Sequence, residues 1–304
     1  MVAPGRARRP GADRLERDPE VDNEAARCPF CEGREGATPP ETFALGPSGR
    51  AADAPGWWVR VVPNKFPAFL NTAAAAERGR GGLFESTPAR GRQEVVVHTP
   101  RHRRSLSELG MRELHWVAEA WQARAAVARE QGFPYVQALV NEGRAAGASL
   151  AHSHSQLVWL PDDPPLVAQE GAVQSEDGNC VLCRVLAEER EQRIRVVDER
   201  DGLLLLCPFA GRQPYEMVVA PLECEEDAFT SSLLGPALVL VAEGLRRLRV
   251  AEGAVAVNAW VHPRRHWHIE VLPRLSTLAG LELGAGYYVN SLAPESAAGM
   301  LRGA

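Results

Sequence analysis

Two stretches of the 304-residue chain repeat one order of hydrophobic and polar positions. In the first, the runs Trp58–Pro63 and Glu94–His98 have strand length and are rich in valine, whose branched side chain suits a pleated surface. Thr99-Pro-Arg-His102 closes the second of them. A helical segment follows, where Ser105 and Glu108 have capping-box spacing and Leu106, Leu109, Leu114, Val117 and Trp121 fall on one stripe. A strand at Tyr135–Val140 and the segment His152-Ser-His154-Ser-Gln156 complete the series. In the second stretch, strands at Leu203–Leu206 and Glu216–Ala220 lead to the corner Pro221-Leu-Glu-Cys224. A helical pattern over about 228–249, a strand at Ala254–Trp260 and His266-Trp-His268-Ile-Glu270 then follow.

The matching order predicts an internal duplication, with loop lengths that differ between the copies. At about 150 residues per domain the chain has room for two units, placed at 1–165 and 166–304. Residues 1–27, rich in Arg, Pro and Asp, read as a polar arm, and the Ala/Gly/Arg-rich stretch 73–91 as a loop. Pro161-Asp-Asp-Pro-Pro165 and the polar residues up to Gly178 read as a linker.

Charge changes this picture little. With 34 Lys+Arg against 39 Asp+Glu the net charge is −5, which excludes a generally basic nucleic-acid binder. Hydrophobic and charged fractions of 45% and 24% exclude global disorder. No apolar run has membrane-spanning length, and the first residues, MVAPGRARRP, lack the apolar core of a secretory signal. A cytoplasmic protein with no nucleic-acid or membrane partner is expected. Thirty-three of the 34 basic residues are arginine, which makes Lys65 the single lysine.

The six cysteines change it more. Cys28/Cys31 and Cys180/Cys183 are Cys-x-x-Cys pairs, and each is followed in the same order by a proline-led corner ending in His or Cys and then a His-x-His. A structural zinc site needs four closed nitrogen or sulfur ligands. The first half offers Cys28, Cys31, His102 and His152, and the second Cys180, Cys183, Cys224 and His266. Cys224 fills the slot of His102, a swap that zinc tolerates. Two structural zincs are therefore expected, each contributing folding free energy on the order of 10 kcal/mol. The competing reading is buried thiols and core histidines, with His98 and His262 as alternative ligands. Redox use fits less well, because no strand precedes Cys28 to launch a thioredoxin-like helix. Cys207, within an apolar run, is expected to be plain core.

Strand periodicity puts His152, His154 and Gln156 on one face. With His152 held by metal, His154 is a positioned neutral imidazole, able to attack phosphorus and split one transfer into two. Gln156 can donate to a phosphate oxygen but cannot act as a general acid, which favours transfer between phosphates over hydrolysis. The loop through Gly147 brings backbone N–H groups and Ser149 toward a phosphate. His268 is the rival nucleophile, but Glu270 beside it would repel a phosphate.

With these residues in place the chain resembles the galactose-1-phosphate uridylyltransferase family, the transferase branch of the histidine triad superfamily. The resemblance runs through Ala3-Pro-Gly-Arg-Ala-Arg-Arg-Pro10, Cys28-x-x-Cys31, Val61-Val-Pro-Asn-Lys-Phe-Pro67, Thr99-Pro-Arg-His102, Gly147-Ala-Ser-Leu-x-His-x-His-Ser-Gln156 and the second His-x-His-x-Glu. It implies an α+β fold of duplicated histidine-triad-like units, with largely antiparallel sheets and one long helix per half. It further implies ping-pong exchange through a nucleotidyl-histidine, with His154 as nucleophile and Gln156 as phosphate donor. Asn64, Asn141 and Ser149 become substrate contacts, Arg6 and Arg9 reach phosphate or sugar, and Lys65 lies in the Asn-Lys-Phe-Pro segment beside the site. A homodimer is implied as well.

The family's proline between the two histidines is Ser153 here, and its first strand would precede Val2. The segment Leu278–Tyr288 is nearer the branch that includes ADP-glucose phosphorylases. The leading expectation is uridylyl transfer from UDP-glucose to a hexose-1-phosphate such as galactose-1-phosphate. The alternatives are adenylyl transfer from ADP-glucose to phosphate, and a non-catalytic protein that keeps the zinc fold and binds nucleotide.

Overall fold

The computed structural model describes residues 1–5, 24–71, 83, 88–172 and 180–304. Among them ten strands form one antiparallel sheet. The first half supplies β1 (Phe43–Leu45), β2 (Val59–Pro63), β3 (Arg92–Val97), β4 (Tyr135–Glu142) and β5 (His154–Leu160). The second supplies β6 (Val196–Arg200), β7 (Leu203–Leu206), β8 (Met217–Pro221), β9 (Val257–His262) and β10 (His268–Pro273). Their order across the sheet is β1-β2-β3-β5-β4-β9-β10-β8-β7-β6. Read inward from its two edges, the sheet shows the same connection twice, and the copies meet at the β4–β9 pair, where Asn141 lies opposite Asn258. The halves thus share a sheet and do not form separate layers.

Among the described residues seven α-helices accompany it: α1 (Glu24–Arg27), α2 (Met111–Glu130), α3 (Pro165–Ala172), α4 (Val181–Gln192), α5 (Leu234–Glu252), α6 (Gly280–Ala285) and α7 (Pro294–Gly303). The long helices α2 and α5 cover one face of the sheet. Leu114, Val117 and Trp121 of α2 and Leu238, Val241 and Leu245 of α5 pack there with Val61, Val96, Leu157 and Trp159. Each such side chain taken from water stabilises the fold by about 1.5–3 kcal/mol. Arg124 reaches from α2 to Glu94 of β3 in a buried two-point ion pair, both contacts 2.9 Å. The opposite face carries two smaller apolar clusters. One joins Trp57, Val62, Val95 and Val97 with Phe30, and the other joins Leu186 of α4 with Leu204, Leu206 and Val218.

Several boundaries depart from the sequence pattern. The Ser105/Glu108 pair caps a short 3-10 turn, Leu106–Glu108, and not the long helix. Helix α2 begins at Met111, where Glu113 accepts the Gly110 N–H at 2.9 Å and the Thr99 hydroxyl at 2.8 Å. Helix α5 starts six residues later than its pattern suggests, and β9 is shifted toward the C-terminus. The expected linker holds helix α3, and β1, β6 and α4 were not anticipated. Of the expected arm, residues 6–23 lie outside the described residues, so Arg6 and Arg9 have no structural account. Most of the stretch 73–91 lies outside them as well. Among the described residues no helix is long and apolar enough to cross a membrane.

Candidate functional site

Cys28 follows α1, Cys31 lies in the next turn, His102 ends the corner after β3, and His152 sits just ahead of β5. Their ligand atoms gather within 4.8 Å of one another. His152 Nδ1 is 3.4 Å from Cys28 Sγ and 3.6 Å from Cys31 Sγ, and His102 Nδ1 is 3.5 Å from Cys31 Sγ. Metal bonds of about 2.3 Å to sulfur and 2.0–2.1 Å to nitrogen place those atoms about 3.6 Å apart on a tetrahedron. These three separations match that spacing, and the four residues could hold a metal ion. Burial, with the Cys28 sulfur alongside, pushes the Cys31 thiol up to about 12, so a thiolate here needs a cation as partner.

The second cluster has the same design. Cys180 is the N-cap residue of α4, Cys183 lies in its first turn, Cys224 ends the corner after β8, and His266 sits just ahead of β10. His266 Nδ1 is 3.3 Å from Cys183 Sγ and 3.9 Å from Cys180 Sγ. Burial and the neighbouring sulfurs push Cys183 up to about 12. The correspondence extends to the outer hydrogen bonds, which fix a ligating ring's orientation. His152 Nε2–H donates to the Thr99 carbonyl at 2.9 Å, and His266 Nε2–H to the Pro221 carbonyl at 2.8 Å. Each carbonyl stands three residues before the corner ligand. In the second cluster Arg265 Nε–H donates to Cys224 Sγ at 3.2 Å, placing positive charge against the three-cysteine set. Both clusters can hold a metal ion with the ligands the sequence proposed, and neither His98 nor His262 is among them.

His154 opens β5 on the face away from α2 and α5. Its Nδ1–H donates to the His152 carbonyl at 2.6 Å, which leaves the Nε2 lone pair outward. Phe30 sets its ring edge-on to His154 at 5.3 Å. Burial lowers the His154 pKa, so the ring is neutral. Two residues on, Gln156 Oε1 accepts the Gln93 Nε2–H at 2.5 Å, and the Gln156 NH2 is the end left for a ligand. Gln93 went unnoticed in the sequence because cross-strand neighbours depend on register.

Asn141 is the penultimate residue of β4, and its Oδ1 accepts from Asn258 Nδ2 at 2.8 Å. The same Asn258 amide donates to the Ala146 carbonyl, also at 2.8 Å, so the second half holds the loop of the first. Gly147 takes a left-handed conformation, φ +86°, that a larger residue rarely adopts. The N–H groups of Ala146, Gly147 and Ala148 are spent on Gly143 and Arg144 carbonyls. The part of this loop left to meet a ligand therefore begins at Ser149, which is exposed. Asn64 follows β2, its Oδ1 capping the Phe66 N–H at 2.9 Å, and Lys65 and Phe66 are exposed beside it.

The second His-x-His differs in its electrostatics. His268 Nδ1–H donates to the His266 carbonyl at 3.1 Å, as His154 does to His152, but its Nε2 faces Glu270 Oε1 at 3.7 Å. Although burial opposes it, the Glu270 contact raises His268 above its ordinary value. Glu270 is held down to about 2: burial raises it, and His268 and Arg212 more than reverse that. Glu170, His262, His268 and Glu270 form a third polar group. Trp260 Nε1–H donates to His262 Nε2 at 2.7 Å, His262 Nδ1–H to Glu170 at 2.8 Å, and Arg212 pairs with Glu270. The donors of this group are already engaged with one another.

The sequence pattern described as "Galactose-1-phosphate uridyl transferase, N-terminal domain" matches residues 58–163. The chain is 29% identical over 323 residues to ADP-glucose phosphorylase of Arabidopsis thaliana, covering 99% of this chain and 89% of that one. It is 26% identical over 308 residues to galactose-1-phosphate uridylyltransferase of Thermotoga maritima, covering 93% and 91% respectively. The fold matches the crystal structure of an A. thaliana ADP-glucose phosphorylase with bound ADP-glucose at a TM-score of 0.80. That alignment has 27% identity and covers 100% of this chain and 94% of the other.

Proposed function

The chain belongs to the galactose-1-phosphate uridylyltransferase family, and from that premise we propose that it transfers the adenylyl group of ADP-glucose to inorganic phosphate through His154. The observation that supports this chemistry is the state of the His154 ring: Nδ1–H is committed to a backbone carbonyl, the ring is neutral, and among the described residues no carboxylate is paired with Nε2. In the first step Nε2 gives its lone pair to the α-phosphorus of ADP-glucose. The bond from that phosphorus to the bridging oxygen breaks, and its electron pair leaves with glucose-1-phosphate. In the second, a phosphate oxygen attacks the same phosphorus, the N–P bond breaks, and ADP leaves with the imidazole restored. Neither leaving group needs a proton from the enzyme, which suits a glutamine at position 156.

The NH2 of Gln156, with its oxygen held by Gln93, meets a non-bridging oxygen as charge builds there. Asn64, Lys65, Asn141, Ser149, Arg6 and Arg9 are the proposed substrate contacts; Gly147, its N–H already spent on Arg144, supplies the left-handed turn that leads to Ser149. Zinc is the proposed metal of both Cys/His clusters, matching their thiolate and imidazole donors and tetrahedral spacing. When bound, it supplies structural rigidity. His152, so held, presents the carbonyl that orients His154.

The full-length likeness to a phosphorylase seen with ADP-glucose favours the adenylyl reading over the uridylyl one placed first from sequence. The T. maritima relative keeps UDP-glucose with a hexose-1-phosphate as the second reading. Incubation with ADP-glucose or UDP-glucose, without acceptor, separates them by intact-protein mass. An adenylyl adduct supports the proposal and a uridylyl adduct the second reading. Neither adduct, on folded metal-loaded protein, points to a non-catalytic nucleotide binder.

A further inference from the structure

His98 belongs to neither metal cluster and lies on the far side of the sheet from the proposed substrate. It follows β3 directly, one residue past Val97, which pairs with His154. Strand alternation puts His98, Ser153 and Ser155 on the face packed against α2, opposite His154 and Gln156. The ring is fully buried. Its Nδ1 lies 2.9 Å from Ser153 Oγ, and its Nε2 2.9 Å from Ser155 Oγ. Ser155 Oγ also accepts the Trp121 Nε1–H of α2 at 2.8 Å. Burial, with His154 and His152 nearby, keeps the ring neutral, so it offers one N–H donor and one acceptor. A single imidazole thus bridges the two serines that flank the nucleophile.

The bridge bears on the bond that sets the nucleophile's tautomer. The His152 carbonyl that accepts His154 Nδ1–H shares a peptide plane with the Ser153 N–H. That N–H donates to the Arg103 carbonyl at 2.5 Å, and the Ser153 carbonyl accepts the His98 N–H at 3.3 Å. With the hydroxyl tied to the His98 ring as well, Ser153 is held at backbone and side chain together. Serine here carries no ring closure to restrict its backbone, and the side-chain tie supplies that restraint. We propose that His98 is a positioning residue for His154: by clamping Ser153 and Ser155 from behind, it fixes the peptide plane whose carbonyl orients the nucleophile. The proposal rests on the reading of His154 as nucleophile.

The test compares His98→Phe, which fills the space but bonds neither serine, with His98→Gln, whose amide can donate and accept. In His98→Phe, metal content and AMP affinity are expected to stay within about threefold. The rate of adduct formation from ADP-glucose is expected to fall about 10–100-fold. His98→Gln is expected to recover most of that loss. Nitrogen-15 spectra of the His154 ring add a readout independent of turnover, with a single Nδ1–H tautomer expected in the native chain and a mixture in His98→Phe. A folded His98→Phe protein with a native adduct rate and a single tautomer overturns the proposal. If the native chain forms no adduct with either nucleotide sugar, the proposed function falls, and the tautomer comparison still decides the clamp. If His98→Phe does not fold, Ser155→Ala removes one arm of the bridge. An intermediate loss of rate then supports the clamp, and a native rate overturns it.

Discussion

Replacing Glu142 by glutamine should make the protein more stable at pH 8 and leave it no more stable at pH 5. Glu142 is buried between Asn141 and Gly143, at the root of the loop that leads to Ser149. It accepts the Leu106 N–H at 2.7 Å and a bond from the Ser105 side chain. Burial pushes its carboxyl from 4.5 up to about 7; Glu108 adds to the rise, while the hydrogen bonds and Arg249 oppose it. A carboxyl raised on folding is more protonated in the folded chain than in the unfolded one. Its favourable contribution is therefore complete below pH 4.5 and is lost as pH rises to about 7. At about 1.4 kcal/mol per pH unit, that window amounts to about 3 kcal/mol of stability lost. Glutamine keeps an acceptor for Leu106 and removes the charge. Its NH2 meets a Ser105 oxygen that already accepts from Ser107, which costs about 1 kcal/mol. The net expectation is a gain of about 2 kcal/mol at pH 8 and a slight loss at pH 5. Urea unfolding of both proteins, metal-saturated, at the two pH values reads this directly. Subtracting the native curve cancels every other titrating group. An equal difference between the two proteins at both pH values would refute the reasoning.

Three further outcomes test the site. His154→Ala should abolish the covalent adduct while keeping its metal, and His268→Ala should still form the adduct; loss of metal from the first variant would make His154 a ligand. Cys31→Ser should empty the first cluster and lower stability by several kcal/mol, whereas Cys224→His, which copies the ligand set of the first half, should retain metal; both are read by metal analysis and thermal unfolding. Asn258→Ala removes the two 2.8 Å bonds to Asn141 and Ala146. At about 1 kcal/mol each, its KM for the nucleotide sugar should rise by about tenfold or more, with kcat less affected. An unchanged KM would remove Asn258 from the support of the loop.

Ligands that announce their own chemistry were legible before any coordinates. Cys-x-x-Cys, a proline-led corner and His-x-His are local patterns, and the structure gathers both sets of four as read. The partners of those residues were not, because register places them. Gln93 meets Gln156, His98 meets Ser153, and Asn258 meets Asn141 only once β3, β5, β4 and β9 lie side by side. The capping signal at Ser105 was real but was spent on a short turn, because Glu113 competes for the start of α2 through Gly110 and Thr99. The linker's prolines likewise proved compatible with α3, since proline is at home in the first turn of a helix.

The duplication bears on why the proposed chemistry falls to the first half. Both halves hold a histidine in a Cys/His cluster, and both turn the next histidine's Nδ1–H onto that residue's carbonyl. They diverge two positions later. Gln156 is uncharged and turned by Gln93, so the space before His154 Nε2 admits an anion. Glu270 is a carboxylate paired with Arg212, and it faces His268 Nε2 while raising that ring's affinity for a proton. A ring drawn toward its protonated form gives up its lone pair less readily, and a carboxylate beside it repels a phosphate. Under the proposed function, the same scaffold therefore carries the nucleophile in one half and a carboxylate paired with Arg212 in the other, through the residue two places beyond the second histidine.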